Sequence, residues 1–154
     1  MAALGDGELG RLIAQWLPVG GAEVLLFGRH AGKIAIAERA GVRIGGEGEF
    51  DVTVNATGSP AGVAMAVGMT RARRRAVMKS TVARPVCLDM APVIVRKISW
   101  IGSRCGRMAP AMRLLARRGI EVRAMIAGRF PLREAARAFQ RAEEKGCLKV
   151  LLHP

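Results

Sequence analysis

Three glycines near the start of the chain, in the run Gly5-Asp6-Gly7-Glu8-Leu9-Gly10, have the spacing with which a backbone can close around an anion. In such a turn the first glycine permits the tight bend, and the second lets main chain approach a pyrophosphate. The third allows a helix to pack closely on a strand, and the helix start presents free N–H groups to anionic oxygens. The chemistry offered is binding rather than bond-breaking. Glycine makes up 19 of 154 residues, however, so this spacing also arises by chance, and a ligand-free strand-helix connection would use the same residues.

The surrounding elements give the turn its weight. A short apolar stub, Met1 to Leu4, precedes it, and Leu9, Leu12, Ile13, Trp16 and Leu17 follow at helical spacing, predicting an amphipathic helix with that face in the core and its end at Pro18 to Gly21. Glu23 to Phe27 suits a buried parallel strand, and Ala31 to Ala40 a second helix. Phe50 to Asn55 reads as a strand, followed by the turn Ala56-Thr57-Gly58-Ser59-Pro60 and a helix to about Thr70. Thr57 and Ser59 have two readings there: contact with a ribose, or satisfaction of backbone N–H groups at the helix start. Further strands are expected at Ala76 to Met78, Ile98 to Ser103, Glu121 to Ile126 and Leu148 to Leu152. Helices are expected from about Ala109 to Arg118 and from Leu132 to Glu144. The fold class is therefore α/β, a doubly wound parallel sheet of Rossmann type with six main strands, truncated at the first. Residues 1–154 form one domain.

A hydrophobic content of 51% supports one core. No apolar run is long enough to span a bilayer, and the start resembles no secretory leader, so the cytoplasm is the expected compartment. Cys87, Cys105 and Cys147 share no CxxC spacing and predict neither a disulfide framework nor a zinc ribbon. The net charge of +13 is uneven: residues 1–70 hold five Lys/Arg and seven Asp/Glu, residues 71–154 twenty and five. Arg71, Arg73, Arg74 and Arg75 cluster, and Arg104, Arg107, Arg113, Arg117 and Arg118 add to them. Such density attracts nucleic acid or phosphorylated ligands, but few aromatic residues are present for base stacking, and a solvated basic surface explains it as well.

Several ordered motifs together resemble the cofactor-binding half of the medium-chain, zinc-type alcohol dehydrogenases. They are Leu4 to Gly10, Phe50-Asp51-Val52 through Ala56-Thr57-Gly58-Ser59-Pro60, Met78-Lys79-Ser80-Thr81, and Ile101-Gly102-Ser103-Arg104-Cys105-Gly106. Near the end come Arg129-Phe130-Pro131-Leu132 with Ala135, Ala138 and Phe139, then Gly146 to Leu151. The resemblance implies that Gly5, Asp6, Gly7, Glu8, Leu9 and Gly10 hold the pyrophosphate and that residues after the second strand hold the adenosine ribose. It also implies that Ala56, Thr57 and Gly58, with Lys79, Ser80, Thr81, Ser103, Arg104 and Cys105, approach the nicotinamide.

The family transfers a hydride between nicotinamide and an alcohol or aldehyde carbon, with a catalytic zinc held in a preceding GroES-like domain. On this resemblance Met1 would fall inside the first strand, the given residues would lack that domain, and no cysteine or histidine matches a zinc-ligand position. The expectation is thus an oxidoreductase domain, catalytically incomplete alone and without zinc or catalytic residues of its own. Residues 121–154 would be the segment that normally meets the catalytic domain. Uncovered apolar surface then favours self-association or a separately encoded catalytic partner.

The family also commonly places an acidic residue where Asn55 stands, and a proline- and glycine-bearing turn where Ala72 to Arg75 stand. Where an acidic residue would bind the ribose hydroxyls of NAD, this chain has Phe27-Gly28-Arg29-His30; with Gly28, Arg29, His30 and Lys33 there and no carboxylate, NADP is favoured over NAD. Lys149 could also meet the pyrophosphate. A non-enzymatic nicotinamide-nucleotide sensor and a basic nucleic-acid-binding protein are the alternative readings.

Overall fold

The three residues Ala2–Leu4 form β1, wholly buried at the centre of a parallel sheet in the computed structural model, which describes residues 1–83, 85–117 and 119–154. Arg118, one of the cations counted above, lies outside the described residues. Among those residues five strands pair in the order β2-β1-β3-β4-β5: β2 is Leu25–Phe27, β3 Phe50–Asn55, β4 Thr70–Met78 and β5 Ser99–Gly102. Every pairing is parallel. An isolated parallel bridge from Leu26 to Ile44 adds a sixth position outside β2, which the sequence pattern did not reveal. With Ile44 taken as third in chain order, the arrangement is 3-2-1-4-5-6, the doubly wound order whose direction of winding reverses beside β1. That reversal puts a crevice at the carboxyl ends of β1 and β3.

Both faces of the sheet are covered, as strand alternation requires. On one, Ala3 and Leu26 pack with Ala14 of α1 (Glu8–Val19) and Ala37 of α2 (Ala31–Arg39). On the other, Ala2 and Leu4 meet Ala66 of α3 (Pro60–Gly68). A third cluster of Val67, Ala76, Val93 and Ile98 lies beneath α3 and the short α4 (Ala91–Val95).

The buried face of α1 differs from the expected one. Gly10, Arg11 and Ala14 are buried, whereas Leu9 and Trp16 are each 38% exposed. The helix comes closest to the sheet at Gly10, against the Gly5 main chain, with Ala14 in the core beside it and Ile13 and Leu17 packed at the flank. The helix ends at Val19 with Gly20 as its C-cap, within the expected Pro18 to Gly21, and Pro18 stands in its last turn.

The C-terminal segment also departs from expectation. Arg123–Met125 form a 3₁₀ turn, and the strand β6 begins only at Ile126 and runs to Pro131. It pairs in parallel with β7 (Lys149–His153) in a separate two-stranded sheet, connected through α6 (Ala135–Glu143). Glu121 is instead spent on a turn, its Oε1 accepting from the Arg123 N–H at 2.5 Å. The preceding helix, α5 (Met108–Ala116), has no buried residue, and Met108, Met112 and Leu115 on it are exposed.

The arginine cluster sits on a bulge. Phe50 is registered with Thr70 and Val52 with Arg75, so β4 makes an excursion over Arg71 to Arg74. Asp51 pairs with Arg71 at 3.4 Å and with Arg74 at 3.0 Å, and the Arg73 N–H donates to the Arg96 carbonyl at 2.7 Å. Arg73 has φ +61°, in the left-handed region that suits glycine and crowds a Cβ. Arg73→Gly is expected to stabilise the fold by about 1 kcal/mol, raising the melting midpoint by roughly 2–4 °C in a thermal scan. An unchanged or lower midpoint contradicts the assignment of strain to that residue.

Candidate functional site

A cleft of about 280 Å³ opens at the carboxyl ends of β1, β2 and β3. It brings together Gly5, Asp6, Gly7, Gly28, Arg29, His30, Lys33, Ala56, Thr57 and Ser59, all singled out from the sequence, and adds Ala61, Gly62 and Met65 from α3.

The glycine turn forms its floor. Gly5 has φ +115°, and its N–H donates to the Phe27 carbonyl at 2.8 Å, which fixes the turn to β2. A Cβ on Gly7 would meet nothing within 4 Å, so this residue borders open space. Gly7 is also the N-cap of α1 and supplies no capping side chain. The first-turn N–H groups of that helix are therefore presented to the cleft side without a side-chain acceptor from the cap.

Of the other two helix starts at the cleft, that of α3 carries a side-chain cap and that of α2 does not. At α3 the Ser59 Oγ accepts the Gly62 N–H at 3.1 Å, and the Thr57 Oγ1 accepts the Ser59 N–H at 3.2 Å. The backbone-satisfying reading of Thr57 and Ser59 thus describes their hydroxyls. Asn55, fully buried, accepts from the Thr57 N–H at 3.0 Å and the Thr57 hydroxyl at 2.8 Å, and so holds this turn from within the core.

Just before α2 the chain is held by a residue far away in sequence, while the N-cap His30 makes no side-chain cap bond. The Asp6 Oδ2 accepts the N–H groups of Arg29 and His30, both at 2.7 Å, and the His30 Nδ1 lies 3.0 Å from each carboxylate oxygen. Burial pushes the Asp6 carboxyl up, but the donated hydrogen bonds from His30 and Arg29, with the charge of His30, outweigh it, and the group titrates below its ordinary value. Arg11 is 1% exposed, and its Nε and Nη1 have no hydrogen-bond partner among the described residues. Burial pulls this guanidinium down, Asp6 opposes that, and Arg39 adds to it. No motif spacing signalled the Asp6–His30 pairing or the burial of Arg11.

The remaining candidates lie outside the cleft lining. Glu8 pairs with Lys149 at 3.0 Å, which joins α1 to β7 and occupies the lysine assigned above to the pyrophosphate. Leu9 is exposed, and Gly10 is buried against Gly5. The Gly58 N–H donates to the Ser80 Oγ at 2.9 Å. Lys79 Nζ donates to the Ser103 Oγ and the Arg104 carbonyl, bridging the ends of β4 and β5. Thr81, Ser103, Arg104 and Cys105 are exposed. A second, more apolar cavity of about 420 Å³ is lined by Ser80 with Val63, Met78, Leu88 and Trp100, among others. Among the described residues no group of three or more His, Cys, Asp or Glu could hold a metal ion, and no helix is long and apolar enough to cross a membrane.

No protein-family model and no curated protein sequence matches the chain. Solved structures do. A protein from Sinorhizobium meliloti described as a zinc-binding dehydrogenase, bound to NADP, superposes with a TM-score of 0.85 at 25% identity, over 99% of this chain and 52% of its own. L-idonate 5-dehydrogenase from Escherichia coli gives 0.88 at 22%, over 99% and 49%. An alcohol dehydrogenase from E. coli complexed with NADH gives 0.84 at 18%, over 99% and 51%. The chain spans about half the length of the solved structures it matches. The resemblance to zinc-type medium-chain dehydrogenases therefore extends from motifs to the fold, an α/β Rossmann-type sheet like the NAD-binding halves of these enzymes.

Proposed function

We propose that this chain binds a nicotinamide dinucleotide, NADP in preference to NAD, as the cofactor-binding half of a zinc-type medium-chain dehydrogenase. The observation that carries the reading is the uncapped start of α1. Its cap residue, Gly7, has no side chain to accept the first-turn N–H groups and borders open space at the glycine turn, whereas Ser59 caps α3. An anionic diphosphate fits such a place, with N–H groups donating to its oxygens and the helix dipole favouring its charge.

Arg29 and Lys33 supply the preference for NADP. Both line the cleft beyond the β2 tip, and among the described residues neither is in an ion pair, so both can meet a 2'-phosphate. The nicotinamide, when bound, supplies the hydride-accepting or hydride-donating carbon. This chain's residues bind the diphosphate at the glycine turn, read the ribose at Arg29 and Lys33, and shape the far end with Ala56 and Thr57. Ser80 and the apolar cavity beyond it extend that end. NADP is bound by the S. meliloti neighbour and NADH by the E. coli alcohol dehydrogenase, which supports a nicotinamide cofactor while leaving the choice to local residues.

On this reading the transfer of hydride to or from an alcohol or aldehyde needs a second, zinc-bearing lobe, and the chain alone does not turn over. The exposed Met108, Met112, Leu132 and Phe139 support coverage by such a lobe or by a second copy. Residues 1–154 act as one nucleotide-binding domain, and the scattered free cysteines fit the cytoplasm.

Calorimetric titration with NADP⁺, NADPH, NAD⁺ and NADH tests the reading. Binding of the phosphorylated pair is expected to be tighter, and Arg29→Ala or Lys33→Ala should each weaken NADP⁺ by roughly tenfold or more with little change in NAD⁺. Heat from none of the four ligands refutes the assignment.

A further inference from the structure

The ribose end of the cleft contains a carboxylate that comes from an unexpected place. Asp6 belongs to the glycine turn, yet its side chain crosses to the tip of β2 and accepts from the Arg29 and His30 N–H groups there. Its presence shapes position 28. A Cβ built on Gly28 would stand 2.5 Å from the Asp6 Cβ and 2.7 Å from its Oδ2, distances that require something to shift. A side chain at the strand tip and the Asp6 side chain therefore exclude each other.

We propose that Asp6 and Gly28 form an interlock that makes this cleft select a phosphorylated ribose. This rests on the reading of the cleft as a dinucleotide site. Selection for an unphosphorylated ribose needs a carboxylate near the strand tip with oxygens free to accept from both sugar hydroxyls. The Asp6 carboxylate is committed elsewhere: Oδ2 takes two main-chain N–H groups, both oxygens face the His30 ring, and the side chain is only 9% exposed. No second carboxylate can enter at position 28 while Asp6 stands there. What remains at this end for a ligand are the cations Arg29 and Lys33 on the turn that Asp6 holds in place. Asp6 is thus a positioning residue that decides specificity from within the glycine turn, through the segment it fixes.

Two measurements on the same set of variants test this. In thermal melting, Gly28→Ala alone is expected to lower the midpoint by roughly 5 °C, because the new methyl collides with Asp6. On an Asp6→Gly background, where the colliding atoms are gone, the same change should cost nothing further. Equal costs in the two backgrounds, or none in either, overturn the interlock without reference to any ligand.

In calorimetric titration, Asp6→Gly/Gly28→Asp is expected to shift the ratio of NADP⁺ to NAD⁺ affinity toward NAD⁺ by about 100-fold relative to the unmodified chain. The new carboxylate accepts from the ribose hydroxyls and repels a 2'-phosphate. Gly28→Asp alone should weaken both ligands without that shift. An unchanged ratio in the double variant, or a full shift in Gly28→Asp alone, overturns the selection. An unmodified chain that binds neither dinucleotide overturns the site reading and the selection with it, while the melting result still reports on the packing.

Discussion

Gly10→Ala is expected to destroy the native packing of the glycine turn, lowering stability by about 3 kcal/mol or more. A Cβ at position 10 would stand 1.8 Å from the Gly5 carbonyl oxygen and 2.9 Å from its carbon, both backbone atoms. No rotamer change relieves a collision with main chain, so α1 must lift from β1 or the turn must open. Either movement also loses contacts of Ala14 with Ala3 and Leu26 at the centre of the core. For a chain of this length the loss corresponds to a fall of roughly 6–12 °C in the melting midpoint, measurable by circular dichroism. Gly7→Ala is the control, since its Cβ would meet nothing within 4 Å. It should leave the midpoint within about 2 °C of the unmodified chain, yet narrow the cleft where a diphosphate would sit. Equal midpoints for the two variants would refute the division of labour between a packing glycine and a cleft glycine.

Asp6→Ala is the second large effect, expected at about 2–5 kcal/mol at neutral pH. The change strands the N–H groups of Arg29 and His30 and leaves the buried Arg11 without the nearby carboxylate that favours its charge. The Asp6 carboxyl titrates below its ordinary value in the folded chain. Its contribution is therefore fully present above the unfolded value, near pH 4, and is lost as pH falls through the lower folded value. Urea unfolding from pH 7 to pH 3 should show the gap between the unmodified chain and Asp6→Ala closing only below about pH 4. A gap that persists undiminished at pH 3 would show that Asp6 acts through shape rather than charge.

These two residues also mark the boundary of what could be read in advance. The glycine turn was legible because Gly5 takes a positive φ and a Cβ on Gly10 would strike the Gly5 main chain, and β3 and α2 were legible as short segments bounded by glycine turns. The C-terminal strand was misplaced, since Glu121 to Ile126 alternates like a strand but Glu121 forms a turn and pairing partners exist only from Ile126 onward. The helical face of α1 was offset for a related reason. Hydrophobic residues announce an amphipathic helix, but the distance to the sheet selects which line of that helix makes contact, and here it selected Gly10, Arg11 and Ala14.

The sequence by itself determined most of the order of strands and helices, though not α4 or the Ile44 bridge, together with the glycine turn and the absence of an acidic residue from position 27 to position 30, because each depends on neighbours within a few bonds. Only the tertiary structure decided which groups remain free at the cleft. Asp6 lies 23 and 24 residues from the N–H groups that donate to it, and Lys149 is far along the chain from Glu8. Such pairings depend on where the sheet brings strand ends together, and hydrogen-bonding capacity spent across that distance leaves no trace in local composition.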